Sequence, residues 1–197
     1  MTGTGATEWA VLAEAHEALR TAVRGVPANG WSGPTPCAEW NVTQVLQHAA
    51  GDQIAYAAAL TGGPGPSENP FEPSGKLSED PVEFAEAALK TTADAWAAVA
   101  PDTGEVAVPI PPGRLTAALG VRACALDAAV HAWDIARATG GPSPLTPALA
   151  AELLGAARQL VEPLRAFAFA PAIGPQEGDD AAAELLRYVG RRPDWTA

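Results

Sequence analysis

The chain has 197 residues, 48% of them hydrophobic, which suits one domain with an appendage or two small ones around a sizeable core. Twelve basic residues against 23 acidic ones give a formal charge of −11, which repels phosphate backbones and anionic lipid. Nucleic acid and membrane surfaces are therefore disfavoured as partners, and a small molecule or a protein is expected.

The opening "MTGTGATEWAVLAEAHEALR" has no basic stretch followed by an apolar core, and no run elsewhere approaches the roughly 20 apolar residues of a membrane span. Cys37 and Cys124 are far apart and imply no disulfide framework. The expectation is a cytoplasmic protein with free thiols, as a monomer or a homodimer.

Ala and Leu supply most of the apolar residues and few segments alternate as strands do, so five or six helices are predicted. The first runs from about Thr7 to Val23 and stops at Gly25, and "GVPANGWSGPTPCAEW" is a turn-rich connector. Asn41 then caps a second helix with Gln44 at its third position, and Trp40 and Val45 are spaced for a hydrophobic staple. That helix extends to about Leu60. "TGGPGPSENPFEPSGKLS" is a long crossover. "EDPVEFAEAALKTTADAWAAVA" restarts a helix with Asp80 as cap, Pro81 in the first turn and Glu83 placed for a capping box.

"GEVAVPIPPG" is the one strand-like piece, an extended or hairpin segment. A fourth helix is predicted from near Leu115 to Thr139, ended by Gly140, Gly141 and Pro142, and Thr146 and Pro147 open a fifth to about Leu164. "GDDAAAELLRYVG" is a short terminal helix and "RRPDW" closes the chain. The fold expected is all-α: a four-helix bundle over residues 1–143, with a long crossover between helices 2 and 3, and a C-terminal helical extension, 144–197, packed on it.

The fourth helix carries polar groups where none would be needed for solubility. Gly120, Cys124, Asp127, His131, Asp134 and Ala138 form one seam, while Leu115, Leu119, Leu126, Val130 and Trp133 and then Val121, Ala125, Ala128, Ala132 and Ile135 make the rest of its surface apolar. Such a helix is buried, and a buried carboxylate must find a cation, a metal or hydrogen-bond donors. Arg137 is three residues past Asp134 and can pair with it locally. On the second helix Val45, His48, Asp52, Ala55 and Ala59 share one seam, so His48 can face Asp127 and His131 across the bundle.

Two imidazoles and one carboxylate are a metal-ligand set with open positions left for water or substrate. The alternative is a buried helix whose Asp and His satisfy each other at four-residue spacing. Asp52 is placed to orient the site, or to pair with Gln53. His16, beside Glu17 and Arg20, is expected to be exposed or locally paired. Cys124 is either a soft ligand or a small buried residue, and Cys37 is a loop residue near the staple, reactive if its thiol is activated.

The stretches "WSGPTPCAEWNVTQVLQH" and "LDAAVHAWDIARATG", with the closing "GRRPDW", resemble the actinobacterial proteins similar to the mycothiol-dependent maleylpyruvate isomerase metal-binding domain, among the DinB/YfiT-like helical bundles. The resemblance implies a DinB-like bundle and a divalent metal, zinc most often and nickel or iron otherwise. His48, Asp127 and His131 would be its ligands.

The resemblance further implies a metal-dependent transferase or isomerase that activates a low-molecular-weight thiol and acts on a small-molecule substrate. Asp52 and Asp134 are the candidates to orient a ligand or relay a proton. Asp127 stands where the isomerase has Glu, and the segment after residue 143 is too short for the isomerase's separate substrate-binding domain. A metal-dependent hydrolase and a non-catalytic helical binding module are the competing readings.

Overall fold

Most helices in the chain begin where a side chain takes over the amides that a first turn leaves unpaired. In the computed structural model, which describes residues 9–197, the elements are α1 (Ala10–Arg24), α2 (Val42–Thr61), α3 (Pro81–Ala97), β1 (Glu105–Ala107), β2 (Arg114–Thr116), α4 (Ala117–Ala138), α5 (Pro147–Leu164) and α6 (Ala181–Tyr188). At α2, the Asn41 side chain accepts from the Gln44 amide and the Gln44 side chain accepts from the Asn41 amide, the reciprocal cap expected. Asp80, Thr116, Thr146 and Asp180 cap α3, α4, α5 and α6.

The predicted start of α1 at Thr7 lies outside the described residues. Helix α4 begins two residues later than expected because Leu115 pairs with Val106 in the antiparallel hairpin of β1 and β2.

The chain is all-α apart from that hairpin. Helix α1 packs on α4 and α3, and α2 packs on α3 and α4, so the four form a closed ring in which α1 lies diagonal to α2. The crossover of residues 62–80 runs back along α2: the Gln44 side chain donates to the Pro73 carbonyl, and Gln47 donates to Ser74 Oγ and the Lys76 carbonyl. Thus α3 starts beside the start of α2 and runs parallel to it. Helix α4 is buried on almost every face, as its composition predicted, because α5 covers the side that the bundle leaves open and α6 packs on α5. Among the described residues no helix is long and apolar enough to cross a membrane.

The centre of the bundle is polar at one level. The Gln53 carboxamide oxygen of α2 accepts from His16 Nε2 of α1 at 2.9 Å and from the Cys124 thiol of α4 at 3.1 Å, while its nitrogen donates to the Cys124 carbonyl at 3.1 Å. Thr92 of α3 donates its hydroxyl to the Gln53 carbonyl at 2.7 Å. Four helices are thereby registered on one residue, all of whose partners are shielded from water.

This placement corrects the expectation that His16 is exposed or locally paired. It is 2% exposed because it shares the stripe of Leu12, Leu19 and Val23, and Glu17 and Arg20 lie off that stripe.

Candidate metal centre

The three predicted ligands meet. Asp127 Oδ1 lies 3.6 Å from His48 Nε2 and 3.4 Å from His131 Nε2, and one ligand atom from each residue lies within 4.8 Å of the other two. Bonds of about 2.0–2.1 Å to a tetrahedral ion separate neighbouring donors by about 3.4 Å, so these gaps are the size that a shared ion requires. The second Asp127 oxygen, Oδ2, is buried and has no hydrogen-bond partner, a costly state for a carboxylate that a cation would relieve.

Both imidazoles are oriented from behind. His48 Nδ1 donates to the Pro70 carbonyl at 2.9 Å, and since a carbonyl only accepts, Nε2 is the nitrogen with a free lone pair. His131 Nδ1 donates to Asp134 Oδ2 at 3.0 Å, which again turns Nε2 toward Asp127. A partner on the far ring nitrogen that fixes the tautomer is what ligating histidines have elsewhere. The donor set, its spacing and its supports therefore fit a divalent cation.

The rings of Trp40 and Phe71 flank His48 at centroid distances of 4.7 and 5.3 Å, and the His131 ring stands nearly perpendicular to it at 4.7 Å. Trp40, expected as a staple residue, thus also walls the site. The Asp52 and Asp127 side chains each remain 15% exposed, so the cluster is not wholly sealed from solvent.

Of the two residues expected to orient a ligand or relay a proton, Asp52 borders the cluster, its Oδ2 3.8 Å from His48 Nε2. It does not pair with Gln53, whose carboxamide is engaged in the core. Asp134 is fully buried and lies behind His131. The local pairing of Asp134 with Arg137 is not formed. Arg137 donates to the Gly141 and Trp195 carbonyls, and Asp134 instead receives a two-pronged bond from Arg191: Nε to Oδ1 at 3.0 Å and Nη2 to Oδ2 at 2.9 Å. Cys124 belongs to the core polar cluster, outside the set of ligand atoms. Cys37 sits half-buried in the connector, its thiol pushed up by burial.

The charges follow from this layout. Burial works against the Asp127 carboxylate, but His131 and His48 outweigh it and hold its pKa below the usual range. Burial likewise works against a charged His131, yet Asp127 and Asp134 on either side raise its pKa to about 10. Asp52 is pushed up to about 7 by burial and by the neighbouring Asp127 charge. Asp134 is disfavoured by burial and brought down by Arg191. The two flanking carboxylates thus favour the charged form of His131, and a bound cation would take the place of its Nε2 proton.

Residues 12–136 match the family described as the mycothiol maleylpyruvate isomerase N-terminal domain. The chain belongs to that family. It is also 32% identical over 151 residues, 76% of each chain, to uncharacterized proteins from two strains of Mycobacterium tuberculosis. No solved structure matches. The stretch matched to the mycothiol maleylpyruvate isomerase N-terminal domain family holds His48, Asp127, His131 and Asp134, whereas Arg191 lies beyond it.

Sequence reasoning missed Pro70, Phe71, Arg191 and Gly51. The last is what lets the crossover lie against α2: a Cβ there would sit 2.9 Å from Pro70 Cγ. Gly51→Ala gains helix propensity of about 1 kcal/mol but displaces Pro70, whose carbonyl holds His48. Zinc affinity is expected to fall about 10- to 100-fold, the usual loss when a ligand's outer support is removed. A chelator-competition titration beside a denaturant melt measures both. Unchanged zinc affinity would show that the Pro70 contact does not position His48.

Proposed function

We propose that the protein is a metal-dependent enzyme that uses a low-molecular-weight thiol of the mycothiol type, as a transferase or isomerase acting on a small electrophilic substrate. The observation that carries this reading is the buried, unpartnered Asp127 Oδ2 beside two imidazoles whose other nitrogens are already committed. His48, Asp127 and His131 would hold the ion. Zinc suits two nitrogens and one oxygen, and nickel or ferrous iron would accept the same set.

When bound, such a cation lowers the pKa of a thiol at its open position, so that thiolate exists near neutral pH. The chain's own residues supply the rest. The Asp127 charge offsets that of the cation, and Trp40 and Phe71 keep water from the His48 side. Asp52 Oδ2, on the rim of the cluster, would take the thiol proton and return it. The sulfur then bonds to the electrophilic carbon: retention of that bond gives transfer, and its later cleavage gives isomerisation. A reducing compartment such as the cytoplasm, where such thiols are abundant, is the setting that this chemistry and the two free cysteines share.

The test is elemental analysis of protein made without a polyhistidine tag, followed by thiol consumption with a panel of electrophiles. One divalent ion per chain and substrate-dependent loss of thiol are expected. Ester or amide cleavage without thiol would assign a hydrolase instead. No stoichiometric metal after zinc reconstitution, with His48→Ala and His131→Ala losing only stability, would leave a non-catalytic module.

A further inference from the structure

Asp134 is enclosed completely, and its two oxygens receive three donors: Arg191 Nε on Oδ1, and Arg191 Nη2 together with His131 Nδ1 on Oδ2. Helix α4 supplies His131 but no guanidinium for it, since Arg137 donates to the carbonyls of Gly141 and Trp195. The guanidinium comes from the segment after α6. Gly190 there takes a left-handed φ of +82°, and a Cβ on it would lie 2.7 Å from Ala170 Cβ and 2.9 Å from the Ala170 carbonyl oxygen, so the turn that delivers Arg191 needs glycine. The Arg191 amide is tied in turn to the Leu186 carbonyl at 2.7 Å. The C-terminal segment is thus joined to the last turns of α4 at two points, Arg191 to Asp134 and Arg137 to the Trp195 carbonyl.

We propose that Arg191 is a positioning residue of the metal centre. Its planar fork fixes the plane of the Asp134 carboxylate, and Oδ2 in that plane holds His131 with Nδ1 protonated and Nε2 aimed at the ion. The C-terminal segment, which lies outside the family match, is by this inference part of the site. The proposal rests on the metal-centre reading above. A carboxylate with only His131 as partner would be free to turn about its own axis, and an asparagine at 134 can offer only one acceptor where two are needed.

The experiment measures zinc affinity by competition with a chromophoric chelator for the full chain and for Asp134→Asn, Arg191→Met, Arg191→Lys and the double variant Asp134→Asn/Arg191→Met. Each of Asp134→Asn and Arg191→Met is expected to weaken zinc binding about 10- to 100-fold, and Arg191→Lys to recover part of the loss. The double variant is expected to bind no more weakly than Asp134→Asn, because Arg191 acts through Asp134. It carries no buried charge at either position, so it folds even if Arg191→Met does not.

Lower melting temperatures with zinc affinity unchanged would make the Arg191 to Asp134 pair a structural tie and overturn the proposal. Additive losses in the double variant would overturn it as well. The second readout needs no metal: histidine-labelled, metal-free wild type is expected to show a slowly exchanging His131 Nδ1–H resonance that is lost or shifted in Arg191→Met, or in the double variant. If wild type takes up no zinc, the metal reading falls, and this resonance still decides whether Arg191 holds His131. Its persistence unchanged in the variants would refute that hold.

Discussion

Asp127→Asn is expected to abolish stoichiometric zinc binding while leaving the bundle folded. The substitution keeps shape and one acceptor oxygen but removes the charge that both imidazole Nε2 atoms face at 3.4 and 3.6 Å. Zinc at a hundred times its dissociation constant stabilises a native state by about 2.7 kcal/mol. For a chain of this size that corresponds to a rise of about 5–10 °C in melting temperature. Wild type should show such a rise and Asp127→Asn none.

In chelator Asp127→Asn should be the less stable of the two by up to about 3 kcal/mol, since it removes one of the two buried carboxylates that flank the charged His131 and leaves the other. Calorimetry with and without zinc, beside metal analysis, measures both effects. A variant that still holds one zinc per chain would remove Asp127 from the site.

The largest effect on stability is expected at Gln53. Gln53→Leu nearly preserves volume but strands His16 Nε2–H and the Cys124 thiol in a core closed to water, and removes the donor to the Cys124 carbonyl. At about 1–3 kcal/mol for each of the two buried donors left unpaired, the expected loss is about 2–6 kcal/mol, read as a lower denaturant midpoint with an unchanged slope. A midpoint equal to that of wild type would mean that the bundle does not depend on this polar level.

The same level makes stability pH-dependent. Burial lowers the His16 pKa from 6.5 to about 4, so below pH 6.5 the unfolded chain binds a proton at His16 that the native state refuses. Stability is therefore lost as pH falls from 6.5 toward 4, by about 3 kcal/mol from this residue. Asp52, held protonated up to about 7, contributes the opposite slope over the whole of that range. The His16 contribution is accordingly the difference between metal-free wild type and His16→Gln, which keeps a donor to Gln53 and does not titrate. Parallel pH profiles for the two proteins would contradict it.

Much of this was legible from residues because it depends on short-range geometry. The Asn41 cap, the Thr146 cap and the span of α5 follow from side chains within a turn of the amides they serve. Asp127 and His131 are four apart, and His48 and Asp52 are four apart, so each pair is placed on one face by the helix itself. The burial of α4 followed from its apolar circumference. For His16 the deciding signal is its spacing from Leu12, Leu19 and Val23, which puts it on the buried stripe despite the nearby charges of Glu17 and Arg20.

What one strand of sequence determined is therefore the helices, their faces and the identity of three candidate ligands. The tertiary structure alone decided which groups stand behind them. Arg137, three residues from Asp134, was the local choice, yet the fold gives Asp134 to Arg191, 57 positions away. Pro70 reaches His48 only because a crossover doubles back along α2 at Gly51. Helical periodicity carries information over a few turns. Where a loop returns, or where a C-terminal turn comes to rest, depends on the packing of the whole chain, and those contacts set the direction in which each imidazole points.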